Sequence, residues 1–289
     1  MNNLLEIKNV VKTYGDFTAL NNVSLTIPKG SVFGLLGPNG AGKTSLIRII
    51  NQITMQDAGE VYFDGKLLAP NDVEHIGYMP EERGLYKSMK VGEQALYLAQ
   101  LKGLSKSEAK KRLKYWFDKF DISAWWDKKI EELSKGMAQK VQFIVTVMHK
   151  PKLLIFDEPF SGFDPINAQL IAKEILQLRD EGATIIFSTH RMESVEEMCD
   201  YIALIDQSNK ILEGKLDDIK RAFRSNTFQV GVETTNPREV EAKLKASYAV
   251  SPADFRIINE GLKLNVTLKK GENPNDLLSF LTSQGQVQH

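Results

Sequence analysis

The sequence has little that would mark a secreted, membrane-spanning or nucleic-acid-binding chain. Cys199 is the only cysteine among 289 residues, so no intrachain disulfide can form, which fits a reducing cytosol. There is no run of about 18 apolar residues, so no segment is predicted to span a bilayer, and we expect no signal peptide. Basic and acidic residues both number 37, so no net positive charge favours a nucleic-acid partner.

The sequence does contain the alternation of strands and helices that is typical of an α/β fold. Short apolar runs predict buried strands of a parallel sheet, at 31–36, 152–156, 183–188 and 201–205. Helical patterns replace them at about 90–150, so we expect a helical subdomain inserted in the sheet. The first domain is expected to span 1–222.

Residues 223–289 predict a small accessory domain with the order βαββαβ, which is the ferredoxin-like α+β arrangement. The predicted elements are a strand at 228–232, a helix at 237–245, a hairpin of 255–258 and 262–268 around a turn at 259–261, a helix at 275–282, and a strand beginning at 286. Since that last strand is only beginning at His289, we expect the sequence to be truncated there.

The clearest motif is a glycine-rich loop between a strand and a helix. Residues 37–44, GPNGAGKT, match G-x-x-x-x-G-K-[ST] in full, and the strand before them argues against a chance glycine turn. Backbone amides and the helix N-terminus favour phosphate there, while Lys43 and Thr44 can reach the β- and γ-phosphates and Mg²⁺. The predicted cofactors are ATP and Mg²⁺, bound by Gly37, Pro38, Asn39, Gly40, Ala41, Gly42, Lys43, Thr44 and Ser45.

An acidic pair follows the predicted strand at 152–156. Two carboxylates at the end of a buried strand are costly unless a charge compensates them, and Mg²⁺ beside Thr44 would do so. Asp157 can then hold the metal shell, and Glu158 can polarise a water for attack on the γ-phosphate. Alone, this pair would more often be a strand end followed by a turn; the phosphate loop favours the catalytic interpretation.

Further motifs occur in a fixed order around these two. They are LSKGM at 133–137, SGFD at 161–164, STH at 188–190 and IGYMPE at 76–81. Together with Tyr14 they resemble the signature motif, D-loop, switch-histidine loop, Q-loop segment and adenine-stacking aromatic of ABC ATPases. The resemblance covers about residues 4–220. The signature departs from the usual LSGGQ at Lys135 and Met137, and Glu81 stands where the Q-loop glutamine is usual.

The resemblance implies a role for each of these residues. Tyr14 would stack on adenine, while Ser134 and Gly136 would contact the ATP held by a second chain. His190 would sense the γ-phosphate and act with Glu158 and Lys43 in catalysis, and Glu81 would join Thr44 and Asp157 at the metal. The alternatives are that Tyr14 packs the first hairpin, that Ser134 is an ordinary N-cap, that His190 is structural, and that Glu81 pairs with Arg83 at the surface.

The resemblance also implies a fold, partners and a location. The first domain would be a P-loop NTPase core of the ABC ATPase type, working as a head-to-tail dimer with itself or a homologous ATPase. The segment EERGLY at 81–86 resembles the sodium- or drug-exporting branch, whose multi-span permeases are of the ABC-2 type. The chain would then lie in the cytoplasm, at the inner face of the cell membrane.

The sequence disfavours two other functions relative to the exporter. A soluble ABC ATPase of DNA repair, translation or iron–sulfur assembly is disfavoured, because the sequence has neither a long coiled-coil insertion nor a second ATPase domain. A nucleotide-binding switch that does not hydrolyse ATP is disfavoured because Glu158 and His190 are both present. No nucleic-acid partner is expected.

Overall fold

The structure, a computed structural model, describes residues 2–81, 84–161, 163–189, 192–254, 261–269 and 271–288. The chain divides into two compact units, Met1–Ile219 and Lys220–His289. Each unit has its own hydrophobic core. The domain boundary expected at 222 lies within a helix, Leu216–Phe223. No helix within the described ranges is both long and apolar enough to cross a bilayer.

Within the described residues of the first unit, ten strands form two sheets. In chain order they are β1 (Asn3–Tyr14), β2 (Phe17–Pro28), β3 (Val32–Leu36), β4 (Ala58–Phe63), β5 (Lys66–Leu67), β6 (Ile76–Met79), β7 (Leu153–Asp157), β8 (Thr184–Ser188), β9 (Tyr201–Asp206) and β10 (Asn209–Lys215). The first sheet is antiparallel with the order β2-β1-β4-β5, and the second has the order β10-β9-β3-β8-β7-β6. Strands β3, β6, β7, β8 and β9 are parallel, while β10 is an antiparallel edge.

The parallel sheet brings the functional loops to one edge. Strands β3, β7 and β8 are buried along their whole length, as their uninterrupted apolar sequences predict. The carboxyl ends of parallel strands meet at the same edge of a sheet, and ligands bind there in open α/β sheets. The phosphate loop follows β3, the acidic pair ends β7, and Thr189 follows β8.

The described part of the chain has seven helices that belong to the first unit or begin in it. They are α1 (Lys43–Ile50), α2 (Val91–Leu101), α3 (Lys106–Lys119), α4 (Lys135–Val147), α5 (Pro165–Asp180), α6 (Met192–Met198) and α7 (Leu216–Phe223), and short 3-10 turns cover Pro70–His75, Ser123–Trp125 and Ile130–Glu132. Side-chain oxygens of Ser105, Ser134 and Asp164 cap α3, α4 and α5. Helices α2 to α4 lie between β6 and β7 in the sequence, where the helical insertion was expected.

The second unit packs two helices on one sheet. Its elements are β11 (Thr227–Glu233), α8 (Pro237–Ser247), β12 (Ala249–Pro252), β13 (Leu262–Thr267), α9 (Pro274–Gln284) and β14 (Gln286–Val287), in the antiparallel order β12-β13-β11-β14. This βαββαβ order with the first strand central is the ferredoxin-like topology that the sequence predicted.

The sequence prediction for one strand of this unit lies too far along the chain. The strand that pairs with β13 is Ala249–Pro252, directly after α8, whereas the sequence predicted 255–258. The segment 255–258 and the turn residues 259 and 260 lie outside the described residues. Because β12 is short, exposed and ends in proline, it has the properties of an edge strand, which carries little apolar signal.

Candidate functional site

Glycine is required at two positions of the phosphate loop. Gly37 and Gly42 have φ values of 146° and 113°, in a region that residues with a side chain rarely adopt. A Cβ atom would lie 2.1 Å from the Ile205 carbonyl oxygen at Gly37, and 2.2 Å from that of Ala19 at Gly42. The loop therefore packs its backbone directly on two neighbouring strands, and α1 begins at the next residue, Lys43.

Lys43 folds back onto the loop that precedes it. Its Nζ donates hydrogen bonds to the carbonyl oxygens of Gly37, at 2.6 Å, and Pro38, at 3.0 Å. Burial lowers the pKa of the Lys43 ammonium, while the negative charges of Asp157 and Glu158 act in the opposite direction. The lysine is thus held between the loop carbonyls and the acidic pair, where a triphosphate would find a cation.

The loop and the acidic pair share one cavity of about 170 Å³. It is lined by Phe17, Ala19, Asn39, Gly40, Gly42, Lys43, Thr44, Ser45, Glu81, Asp157 and Glu158. Six of the predicted loop residues are among these. Gly37 and Pro38 instead receive the hydrogen bonds of Lys43, and Ala41 is buried in the apolar core, 3% exposed.

The two carboxylates differ in their surroundings. Asp157 ends β7 and is 6% exposed, and burial raises the pKa of its carboxyl, as do the charges of Glu81 and Glu158. The backbone N–H of Glu158 donates to the Ser188 carbonyl at 2.9 Å, and the Thr189 hydroxyl donates to Glu158 Oε2 at 3.2 Å. Glu158 also has a φ of 48°, which is uncommon and strained for a residue other than glycine.

These donors fit Mg²⁺ only together with phosphate. Within the described part of the chain, no three acidic, histidine or cysteine side chains are grouped closely enough to hold a metal. Thr44, Glu81 and Asp157 nevertheless line the same cavity. Mg²⁺ usually takes one or two carboxylates, water and substrate phosphates, so a hydroxyl and carboxylates beside a phosphate loop suit it.

Glu81 lies on the cavity side of the loop after β6. It lines the phosphate-loop cavity and also a larger open cleft with Tyr14, Thr44 and Asp157. Tyr78, which also lines the cleft, is half-buried, and burial together with the charge of Asp157 raises the pKa of its phenol to about 12. Arg83, the alternative partner of Glu81, lies outside the described residues.

Two aromatic side chains flank the site at the end of the first hairpin. Tyr14 lines the open cleft, and its pairing partner in the sheet, Phe17, lines the phosphate-loop cavity. Both are exposed, 45% and 58% respectively. The sequence interpretation named Tyr14 alone; Phe17 was missed, although an exposed aromatic across a two-residue turn from Tyr14 would have been the signal.

A carboxylate fixes the strand that carries Tyr14. Asp57 accepts hydrogen bonds from Lys12 Nζ at 2.8 Å, from the Thr13 amide at 2.6 Å and from the Thr13 hydroxyl at 2.7 Å. These bonds lower the pKa of Asp57 to about 2. Lys12 Nζ also lies 5.3 Å from the centre of the Tyr14 ring.

The remaining predicted residues are not brought into this cavity. Ser134 is the N-cap of α4, and its hydroxyl accepts a hydrogen bond from the Met137 amide at 3.3 Å. The alternative that Ser134 caps a helix is therefore correct, and contact of Ser134 and Gly136 with ATP remains a prediction. Neither is among the described residues that line the phosphate-loop cavity. His190 lies outside the described residues, next to the buried Thr189.

Comparison with known families and proteins gives a consistent result. Residues 20–161 match the ABC transporter family, and residues 214–289 match the C-terminal domain of the ATP-binding protein DrrA1-3-like family. The uncharacterized ABC transporter ATP-binding protein YhaQ of Bacillus subtilis (strain 168) is 47% identical over 76% of this chain and 74% of its own.

One further relative matches over nearly the whole chain, and one solved structure has a similar fold. The linearmycin resistance ATP-binding protein LnrL of Bacillus subtilis (strain 168) is 36% identical over 96% of this chain and 89% of its own. A solved structure of the ATP-binding subunit of an ABC transporter superposes with a TM-score of 0.71 and 31% identity, over 76% of this chain and 93% of that one.

These matches agree with the site geometry and with the resemblance of the motifs. Members of the family bind ATP, hydrolyse it to power transport, and work with separate membrane permeases. On these grounds the chain belongs to the ATP-binding subunits of ABC transporters.

Proposed function

We propose that this chain powers export through a separate, multi-span permease of the ABC-2 type. While export rests on the relatives, the observation that supports the ATPase part of the proposal is the cavity shared by the phosphate loop and the carboxylates of Asp157, Glu158 and Glu81. Its one lysine can neutralise phosphate charge, while the carboxylates can act on a metal and on water. The chain would work in the cytoplasm, at the inner face of the cell membrane.

The proposed chemistry divides among the residues of the cavity. Thr44, Asp157 and Glu81 would hold Mg²⁺, which supplies charge neutralisation of the triphosphate when bound. Lys43 would hold the β- and γ-phosphates, and Glu158 would accept a proton from the attacking water. His190 would contact the γ-phosphate, and Tyr14 would stack on the adenine.

A second copy would complete each site. Ser134 and Gly136 begin α4 and do not line the phosphate-loop cavity among the described residues, so we propose that they act on the ATP held by another chain. A head-to-tail dimer, with itself or with a homologous ATPase, satisfies this requirement. The exposed backbone amides at the start of α4 would then meet phosphate.

Export is supported by the nature of the relatives. The protein LnrL, which matches over nearly the whole chain, is named for resistance to linearmycin. The second unit matches the C-terminal domain of DrrA1-3-like ATP-binding proteins. We therefore propose an exported cargo for this chain as well.

Co-purification tests the proposed partner directly. The tagged full-length chain is recovered from detergent-solubilised membranes of its own organism, and we expect a multi-span permease to accompany it in stoichiometric amount. The same tag on an unrelated cytosolic protein serves as control. Recovery of active ATPase without any membrane protein would contradict the transport role and leave the ATP site intact.

A further inference from the structure

Helix α4 has a polar face that is buried. Gln139, Gln142 and Thr146 are 4%, 4% and 5% exposed. Their spacings of three and four residues place them on one side of the helix. Amide and hydroxyl groups are costly to bury unless hydrogen bonds satisfy them, so the partners of this polar face indicate what it does.

The polar face contacts the backbone of two functional loops. Gln142 Nε2 donates a hydrogen bond to the Pro80 carbonyl oxygen at 3.1 Å. Gln139 Nε2 donates to the carbonyl oxygen of Ser161, the third residue after Glu158. One helix thus holds the carbonyl directly before Glu81 and a carbonyl three residues after Glu158.

The contact at Pro80 constrains Glu81 through covalent geometry. The Pro80 carbonyl and the Glu81 N–H belong to one planar peptide group. A hydrogen bond that fixes the carbonyl oxygen therefore fixes the direction in which the chain enters Glu81. Because the proline ring also fixes φ at position 80, the backbone that leads into Glu81 is held in place, and the rotations that remain are those of Glu81 itself.

The helical insertion also contacts the start of β6, the strand that ends directly before Pro80. Lys102, at the end of α2, donates from Nζ to the carbonyl oxygens of Val73, at 2.7 Å, and Ile76, at 2.8 Å. Strand β6 begins at Ile76 and ends one residue before Pro80. Hydrogen bonds from Lys102, at the end of α2, and from Gln142 of α4 therefore connect both ends of β6 to the helical insertion.

We propose that Gln142 is a positioning residue, which holds the Pro80–Glu81 peptide so that the Glu81 carboxylate stays in the cavity with Thr44 and Asp157. The inference rests on the proposed role of Glu81 at Mg²⁺. Since Ser134 caps the N-terminus of α4, the contact also joins the helix that would meet a second chain to the metal side of the first chain's site.

The test replaces the donor and keeps the size of the side chain. In full-length Gln142→Met, we expect the Mg²⁺ concentration for half-maximal ATP hydrolysis to rise about fivefold, the size of one lost hydrogen bond. Hydrogen–deuterium exchange of the peptide covering 76–81 should also become faster without nucleotide or metal. Gln142→Leu, which also removes the N–H donor without burying a charge, serves if the methionine variant folds poorly.

Thr146→Val is the matched control on the same face. The Thr146 hydroxyl donates to the Gln142 carbonyl within α4 at 2.8 Å and lies 3.5 Å from the Tyr78 carbonyl, so its loss leaves the Pro80 contact in place. We expect a wild-type Mg²⁺ requirement, and exchange over 76–81 that rises less than in Gln142→Met, because the Tyr78 carbonyl loses only a weak contact at 3.5 Å. A general weakening of the helix would instead affect both variants alike, and that result would overturn the positioning role.

Glu81→Ala separates the two levels of the proposal. If Glu81→Ala raises the Mg²⁺ requirement while Gln142→Met leaves it and the exchange unchanged, the metal role stands and the inference about Gln142 is wrong. If Glu81→Ala itself leaves the requirement unchanged, the metal role of Glu81 is wrong, and the inference falls with it. A raised requirement in both, with faster exchange in Gln142→Met, supports both.

Discussion

The two compact units differ in what they bury. The first buries charged and amide side chains, among them Lys43, Asp157 and Gln142. In the second, every buried side chain among the described residues is valine or leucine, as in the packing of Leu244 and Val266 against Leu281. Both units have apolar cores, so the difference between them lies in the polar side chains that the first unit also buries.

Buried polar groups are costly, and their location indicates what they are for. A buried amide or carboxylate loses hydration that a hydrogen bond or counter-charge must replace. In the first unit, Lys43 and Asp157 line the phosphate-loop cavity, and the polar face of α4 contacts the loops that follow Glu158 and precede Glu81. Among the described residues of the second unit no polar side chain is buried, so we expect this unit to act in assembly or regulation and not in chemistry.

The largest effect that would sharpen this contrast concerns Lys43. In Lys43→Ala, we expect ATP hydrolysis to be lost and ATP affinity to fall by at least about tenfold, because a charged hydrogen-bond donor to phosphate is removed. Titration calorimetry measures the affinity. The exposed Lys66 provides the control, since Lys66→Ala should bind normally. Wild-type affinity in Lys43→Ala would show that this buried lysine does not contribute to ATP binding.

Glu158 should have the next largest effect. Glu158→Gln keeps the shape but cannot accept the proton, so we expect turnover to fall by at least about 100-fold while ATP binding persists. Steady-state hydrolysis and size-exclusion chromatography with ATP would show slow turnover and an accumulated dimer. Glu181→Gln, at an exposed position after α5, should be silent. Near-normal turnover in Glu158→Gln would show that another group is the base.

The aromatic pair should have a moderate effect that is confined to binding. In Tyr14→Ala and in Phe17→Ala, we expect KM for ATP to rise about tenfold with kcat nearly unchanged, since stacking on a base is worth about 1–3 kcal/mol. Exposed Phe223 on α7 gives the control substitution, Phe223→Ala. If only Tyr14→Ala raises KM, Phe17 merely closes the hairpin; if neither does, adenine lies elsewhere.

The smallest effect on chemistry should come from the second unit. A chain ending at Ala222 keeps both sheets and all of the cavity, so we expect its ATP affinity to stay within about twofold of the full chain. In the full chain, Leu244→Ala should destabilise the second unit by about 2–5 kcal/mol and leave hydrolysis in place. Loss of nucleotide binding by a folded truncated protein would show that the second unit is needed for the nucleotide site.

Much of the fold was predictable because its signals are local. The parallel strands are short apolar runs, and β3 with the following glycines and α1 forms one continuous motif in the sequence. The helical insertion and the βαββαβ order follow from periodicity in the same way. Edge strands gave less signal: β10 was not predicted at all, and the partner of β13 was placed at 255–258 instead of 249–252.

The site was predictable where residues adjoin in sequence and unpredictable where folding brings them together. Motif order selected Lys43, Thr44 and Asp157, and the structure brings them into one cavity. The hairpin gave a local signal for Phe17, but no local pattern could show that Gln142 would reach the Pro80 carbonyl across 62 residues. Contacts of this kind depend on packing between distant segments.

The backbone of Glu158 has a consequence for how the protein can change. With φ at 48°, this residue is held in a conformation that glycine adopts freely and that costs other residues about 1–2 kcal/mol. We expect Glu158→Gly to raise the free energy of unfolding by about 1 kcal/mol in chemical denaturation while abolishing hydrolysis, whereas Glu158→Gln, which keeps the strain, should not be stabilised. A less stable Glu158→Gly would show that no strain is relieved. Selection for stability alone would therefore favour replacing Glu158. We expect glutamate to be retained at this position because hydrolysis needs it, although it lowers the stability of the fold.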